Sequence, residues 1–212
     1  MTLATQFRTA RLRMTGGVFR VRRFIVMLAV VATWGAAPLP TRRAAAQEGV
    51  FLTEREAPKA VFPDADHFER QIVPGTADLR DKMRTILGTV QPSVWEEEYV
   101  TFSALRGEVS LGCAVIVEEI GKHRPITFVV GVQPDGRVRD VAVIAYREAY
   151  GGEVRSTRFL GQYRGKSSTD ALRPYGDIKN IAGATLSVEA AGRAVKKAAA
   201  LVAVMPSMSE GQ

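Results

Sequence analysis

The chain has 212 residues and a formal net charge of +7. Its first 46 residues contain eight arginines and no acidic residue, which leaves 21 basic against 22 acidic residues, a net charge of −1, in the remainder. This near-neutral remainder argues against a nucleic-acid partner. A single cysteine excludes an intramolecular disulfide, and only two histidines argue against a multi-His metal centre. The composition thus indicates that the chemistry of this protein depends on something other than a Cys-rich or multi-His metal site.

The N-terminal segment has the pattern of an export signal. A cluster of arginines precedes a 14-residue apolar run at 24–37, shorter than the roughly 20 residues of a spanning helix but typical of a signal peptide. Small residues at 44–46 suit cleavage after Ala46. We expect residues 1–46 to be a cleaved signal peptide, with an uncleaved membrane anchor as the alternative. Either outcome places the remainder in the periplasm or on the extracytoplasmic face of the membrane.

Short elements are expected at the start of the exported part. Residues 47–57 are assigned to an extended lead-in, 58–206 to one domain and 207–212 to a flexible tail. Pro63 and Asp64 can start a short helix that carries His67 and Phe68.

A longer helix is expected next. Thr76 can cap a helix that ends at Leu87, with Gly88 as its C-terminal stop.

After this helix the apolar residues recur at every second position, a spacing that indicates β-strands. Alternation from Val109 to Val117 predicts a strand with one buried face, and the acidic run 96–98 indicates a solvated strand start. The segments 126–132 and 138–146 flank a Pro-Asp-Gly turn signal and predict a hairpin. We therefore expect an antiparallel meander over residues 99–146.

The last part combines an irregular segment with a helix. Residues 147–184 are rich in glycine, arginine, serine and threonine and show no clean period, as in functional loops. Small and apolar residues then recur at helical spacing and predict a helix from 186 to 204, with Lys197 and its basic neighbours off the buried stripe. The predicted fold class is α+β: an antiparallel meander packed with helices, ending in a C-terminal helix.

The turn that enters this helix carries the most informative residues. Gly183 and Ala184 allow close approach of another group, and Thr185 places a hydroxyl near the helix N-terminus. Free N–H groups and the helix dipole favour a phosphate there. A simpler interpretation is that Thr185 or Ser187 caps the helix.

The segment 181–187, IAGATLS, resembles the flavin-attachment motif of FMN-binding domains. Such domains occur in the flavin-carrying subunits of sodium-translocating NADH:quinone oxidoreductase and of the Rnf complex, and in related exported proteins. The resemblance implies that FMN is joined to Thr185 through a phosphoester, which a flavin transferase makes outside the cytoplasm from FAD.

The resemblance extends over about residues 58–204. The hairpin, a Glu-Gly loop, an aromatic Gly-Lys segment at 159–166 and the attachment turn follow one another in the family's order. The cofactor-binding residues it implies are Thr185, Gly183, Ala184, Ser187, Glu148, Gly151 and Gly152. Two positions depart from the family: Ala182 stands where Ser or Thr is usual, and Lys179 where Asp is usual.

Charged and aromatic side chains of the irregular segment are further candidates. Arginines could contact the phosphate or the reduced flavin, although a solvated face is the alternative. Aromatic rings could stack on the flavin, although core packing is the alternative. The candidates are Arg155, Arg158, Arg164 and Arg173, and Tyr150, Phe159, Tyr163 and Tyr175.

Together these features predict an exported electron-transfer flavoprotein that relays electrons in a membrane-linked redox chain. It would be a carrier or a subunit of an oxidoreductase, with membrane-bound redox partners and a flavin transferase for its maturation. The membrane surface is a further candidate partner. Two alternatives stay open: an unflavinylated assembly or scaffold subunit, which the departures at Lys179 and Ala182 favour, and a flavin reductase with its own small substrate.

Overall fold

The computed structural model describes residues 49–90 and 96–205. The expected signal peptide or anchor at 1–46 and the expected tail at 207–212 lie outside the described residues. The elements in chain order are β1 (Gly49–Val50), α1 (Ala57–Val61), β2 (His67–Pro74), α2 (Ala77–Leu87), β3 (Glu98–Arg106), β4 (Val109–Ile120), β5 (Pro125–Val132), β6 (Val138–Tyr146), α3 (Thr157–Leu160) and α4 (Thr185–Val204). Short 3₁₀ turns at Gly152–Arg155 and Gly161–Tyr163 flank α3.

The strands form one six-stranded antiparallel sheet in the order β1-β6-β5-β4-β3-β2. The β5–β6 turn is closed by a 2.8 Å hydrogen bond from Gln133 N to Arg137 O, with Gly136 at a φ of +80°. Glycine adopts this left-handed conformation without the cost that a Cβ brings. The α+β class, the meander and the hairpin are therefore confirmed.

Both faces of the sheet are covered. The larger core lies between the sheet and helices α2 and α4, and it includes Cys113, Val115 and Val117 of β4. Burial raises the pKa of Cys113 to about 11, so this thiol stays protonated as a core residue. A smaller core lies on the opposite face, where Val61 and Phe62 at the end of α1 pack against the sheet.

The expected single apolar stripe of β4 is wrong at its start. Val109 is exposed, and Leu111 packs against the smaller core rather than the larger one. The β3–β4 register shifts between Ala104 and Leu105, and Gly112 has a φ of +135°. This bulge inserts one extra residue, so the alternation reverses its faces there.

The two long helices follow their sequence signals. The hydroxyl of Thr76 accepts a hydrogen bond from Leu79 N at 3.2 Å and caps α2, and Gly88 follows its last residue. Helix α4 begins one residue earlier than expected. None of the helices in the described part of the chain is both long and apolar enough to cross a membrane.

One buried ionic cluster contradicts the sequence-based expectation for α4. Lys197 is buried, with its Nζ 2.6 Å from Glu119 Oε1 and 3.5 Å from Glu96 Oε2. Arg193 Nε also lies 2.8 Å from Glu119 Oε2. Lys197 therefore faces the core, and Glu96 is not part of a solvated strand start. Burial raises the pKa of Glu96, and the charge of Lys197 only partly offsets this effect.

The N-terminal region of the domain also differs from expectation. His67 and Phe68 begin strand β2 rather than lying on a helix. Pro63 and Asp64 suggest a helix start, but the whole segment pairs with β3, from His67 opposite Leu105 to Pro74 opposite Glu98. Edge pairing with a distant strand decides the conformation here.

Candidate functional site

The turn that enters α4 leaves the helix N-terminus open. Ala184 is the N-cap residue, and its side chain cannot accept a hydrogen bond. The simpler interpretation, in which Thr185 or Ser187 caps the helix, is therefore wrong. Gly183, at a φ of +78°, provides the left-handed turn, and an added Cβ there would meet nothing within 4 Å. Because the first-turn N–H groups have no side-chain cap, the helix dipole favours an anion at this end.

Thr185 is the first residue of this helix, and the residue is partly exposed. The amide nitrogen of Asn180 lies 2.9 Å from Thr185 Oγ1 and 2.6 Å from the phenol oxygen of Tyr175. Asn180 is the only asparagine of the chain, and no sequence pattern singled it out. The Thr185 side chain is therefore held by Asn180, and the residue is partly exposed.

Ser187 is buried, and its hydroxyl hydrogen is engaged in a hydrogen bond to Tyr146. Tyr146 Oη donates to the carbonyl of Tyr150 at 2.5 Å and lies 3.1 Å from Ser187 Oγ. A carbonyl can only accept, so the phenol donates to it and Ser187 donates to the phenol. Burial raises the pKa of Tyr146 more than its bond to Ser187 lowers it. Of these two hydroxyl residues, Thr185 is therefore the partly exposed one and Ser187 the buried one. Tyr146 is a site residue that sequence reasoning missed.

The glycine loop after β6 packs directly on the attachment turn. Gly151 has a φ of +80°, and a Cβ built on it would lie 2.7 Å from Ala184 Cβ and 2.9 Å from Tyr146 Oη. Gly152 starts the following 3₁₀ turn, and its carbonyl accepts a hydrogen bond from Arg155 Nε at 3.1 Å. Gly151, Ala184 and Ser187 therefore meet around Tyr146.

Glu148 holds a different turn. Its Oε1 accepts hydrogen bonds from the backbone N–H groups of His123 at 2.6 Å and Arg124 at 3.0 Å, in the β4–β5 connection. Desolvation raises the pKa of Glu148, but these backbone donors outweigh it and leave the pKa below its ordinary value. Within the described residues, no hydrogen bond joins Glu148 to the attachment turn, so its part in cofactor binding stays a prediction.

Some of the candidate arginines contact other side chains of the domain, and others are exposed without an ion-pair partner among the described residues. Arg164 binds both oxygens of Asp140, at 3.1 and 2.7 Å, and the guanidinium of Arg155 lies 4.2 Å from the centre of the Phe51 ring. Among the described residues, the guanidinium groups of Arg158 and Arg173 have no ion-pair partner, and both residues are exposed. These two remain the candidates for contact with an anionic ligand.

Two of the aromatic candidates are buried in the core, and two are exposed. Phe159 and Tyr163 are core residues that pack edge to face at 6.0 Å, so they are not exposed rings for a flavin. Tyr150 and Tyr175 are 85% and 80% exposed, and Leu186 beside Thr185 is 44% exposed. Backbone or side-chain hydrogen bonds link both tyrosines to the attachment turn, through Tyr146 and Asn180. Tyr150 and Tyr175 are therefore the exposed aromatic candidates, and Tyr175 is linked to Thr185 through its own side chain.

The acidic residue nearest the motif is part of the loop. Asp177 accepts hydrogen bonds from Arg173 N at 3.0 Å and Lys166 Nζ at 3.2 Å. Desolvation raises the pKa of Asp177, and the surrounding donors lower it by more. Lys179 is exposed, and its backbone N–H donates to Gln162 Oε1 at 2.8 Å. Asp177 thus shapes the loop, while the side chain of Lys179 faces solvent.

Comparisons with known proteins agree with the resemblance drawn from the motif. Residues 121–200 match the family model of the FMN-binding domain, which indicates FMN as the cofactor. The chain is 30% identical over 105 residues to one component of a proton-translocating ferredoxin:NAD(+) oxidoreductase complex from Clostridium ljungdahlii. This region is 46% of the chain and 56% of the relative, so the chain spans about half the length of the curated protein it matches.

Proposed function

Because residues 121–200 match the FMN-binding domain, we propose that this chain is an electron-transfer subunit that carries FMN covalently on Thr185. The observation that carries the proposal is the contrast between two hydroxyls of one turn. Thr185 is partly exposed at an uncapped helix N-terminus, whereas Ser187 is buried and donates to Tyr146. A covalent bond also prevents loss of the cofactor in a compartment that does not resupply it.

The site suits the phosphate that the linkage would contain. A phosphodiester on Thr185 keeps one negative charge, and the uncapped N–H groups of α4 and the helix dipole stabilise such a charge. Small residues keep the surroundings open, since Ala182 and Gly183 are both exposed. The residues present therefore fit a phosphate ester at this position.

The attachment reaction exchanges a phosphoanhydride bond of FAD for a phosphate ester on Thr185. Thr185 Oγ1 forms a bond to the flavin-side phosphorus of FAD, the P–O bond of the pyrophosphate breaks, and AMP leaves with the bridging oxygen. The hydroxyl proton of Thr185 passes to water. No electrons are transferred in this step, and a flavin transferase supplies the catalysis. Thr185 contributes only the attacking oxygen.

The protein's remaining task is to hold and expose the cofactor. Bound flavin accepts two electrons and can release them singly, so the protein supplies orientation and surroundings rather than a catalytic nucleophile. Tyr175, which Asn180 links to Thr185, and Leu186, the next residue along the helix, offer exposed apolar surface on which a ring can rest. A ring held at the surface is accessible to redox partners.

Location and partners follow from the N-terminal sequence and the relative. The arginine-rich, apolar segment within 1–46 supports export, and export would bring Thr185 to the compartment in which flavin transferases act. The similarity to a component of a ferredoxin:NAD(+) oxidoreductase complex supports membrane-bound redox partners. We propose that the chain relays electrons at the extracytoplasmic face of the membrane.

Covalent flavin is tested by producing the full chain together with a flavin transferase and denaturing it before electrophoresis. The wild type should fluoresce in the gel and gain the mass of one FMN less one water. Thr185→Ala should abolish both signals, and Ser187→Ala, the matched control in the same turn, should retain them. A dark wild type, or a fluorescent Thr185→Ala variant, would overturn the proposal.

An unflavinylated scaffold subunit is the second candidate. It is favoured by Lys179, which stands exposed where the resemblance leads us to expect an aspartate. In that case the wild type would stay dark with the transferase present but would still purify with a membrane partner. The gel experiment therefore separates the two functions.

A further inference from the structure

Asn180 occupies an unusual position beside the attachment residue. One edge of its amide touches two hydroxyl oxygens, at 2.9 Å to Thr185 and 2.6 Å to Tyr175. Because a hydroxyl can donate or accept, this bridge forms in either orientation of the amide. It therefore ties the acceptor hydroxyl to the exposed ring of Tyr175 across the turn.

The other edge of the same amide shows that stability alone does not explain the residue. Asn180 Oδ1 is shielded from solvent and has no hydrogen-bond partner among the described residues. A buried polar atom without a partner opposes folding, so an apolar side chain of equal size would suit this position better. What the amide provides is the bridge on its other edge.

Tyr175 adds a second sign of constraint. Its φ of +63° lies in the left-handed region that disfavours a residue with a Cβ, yet its ring is 80% exposed. An exposed ring on such a backbone has little packing to fix it. The hydrogen bond with Asn180 holds its phenol end.

We propose that Asn180 is the positioning residue of the attachment site, which fixes the Thr185 oxygen beside the Tyr175 ring so that both face one incoming flavin. This inference rests on the proposed attachment at Thr185. Fixing one rotamer of the attacking oxygen raises the fraction of productive encounters. The loss of this bridge should therefore slow attachment while leaving the fold intact.

The test follows covalent flavin incorporation into the full chain over time, with purified flavin transferase and FAD, by in-gel fluorescence. Asn180→Ala removes the bridge, and Asn180→Leu removes it while keeping the side-chain volume. Both should lower the initial rate about fivefold, as expected when one net hydrogen bond of roughly 1 kcal/mol is lost. The lower rate should persist at saturating FAD, and the KM for FAD should be unchanged, because FAD binds to the transferase and not to the variant chain.

Gln162→Ala is the control for a loosened loop, because it removes the bond to Lys179 N without touching Thr185. We expect its rate within twofold of wild type, and thermal unfolding of all variants close to wild type. The inference is refuted when both Asn180 variants stay within twofold of wild type, or when Gln162→Ala loses as much. A wild type that never acquires flavin would instead overturn the proposed function, and this inference with it.

Discussion

The contact between the glycine loop and the attachment turn leads to the sharpest prediction. Gly151→Ala places a Cβ 2.7 Å from Ala184 Cβ and 2.9 Å from the phenol oxygen of Tyr146. Carbon atoms in good contact are about 3.5–4.0 Å apart. The new methyl group must therefore displace the loop from the turn by about 1 Å.

The magnitude has two parts. A Cβ at a φ of +80° costs roughly 1–2 kcal/mol in any surroundings, and overpacking of this kind adds about 1–3 kcal/mol. Gly136 has the same φ of +80°, but an added Cβ there meets nothing within 4 Å. Gly136→Ala therefore measures the first part alone.

The assay is urea unfolding of the full chain at 25 °C, followed by circular dichroism, for both variants. We expect Gly151→Ala to lower the free energy of unfolding by about 3 kcal/mol and Gly136→Ala by about 1 kcal/mol. Gly151→Ala should also slow flavin attachment at Thr185, because it shifts the turn. Equal destabilisation of the two variants would refute the claim that the loop and the turn are in tight contact.

Two further predictions concern buried and hydrogen-bonded charges. Lys197→Met leaves the buried carboxylates of Glu119 and Glu96 without their shared ammonium, and should lower the free energy of unfolding by about 3 kcal/mol. Lys196→Met, which changes the less buried neighbouring lysine, should lower the free energy of unfolding by less than about 0.5 kcal/mol. A loss equal to that of Lys197→Met would contradict the role of Lys197 in neutralising the two carboxylates. The pKa of Glu148 is lowered by folding, so its carboxylate stabilises the fold above its ordinary pKa and this contribution disappears as the pH falls through the lowered value. Wild type should therefore exceed Glu148→Gln in stability at pH 7 and converge with it on acidification in a pH series of urea unfolding, whereas a constant difference would exclude titration of Glu148 as the cause.

Local signals sufficed for elements whose determinants are adjacent in the chain. Thr76 and Gly88 bound α2 because capping involves residues within one turn of the helix. The Pro-Asp-Gly signal predicted the β5–β6 hairpin for the same reason, since Gly136 adopts the left-handed conformation that the turn requires. The attachment motif is also local, so neighbouring residues alone were enough to find it.

Distant pairing decided the features that were missed. His67 and Phe68 form a strand because β3 supplies hydrogen-bond partners more than thirty residues further along the chain. Lys197 is buried because Glu119 and Glu96 converge on it from other elements. No helical periodicity reports on such partners, so a charged residue next to the apolar stripe was expected to face solvent.

The features of the site likewise depend partly on neighbouring residues and partly on residues distant in the chain. Residue order alone was enough to predict the fold class, the C-terminal helix and the hydroxyls at its start, because period and turn chemistry depend on neighbouring residues. The folded structure was needed to show that Ser187 is hydrogen-bonded to Tyr146, 41 positions earlier, and that Thr185 is bridged by Asn180 and partly exposed. The availability of a hydroxyl depends on which distant groups pack against it, and that is a property of the fold rather than of the segment in which the hydroxyl lies.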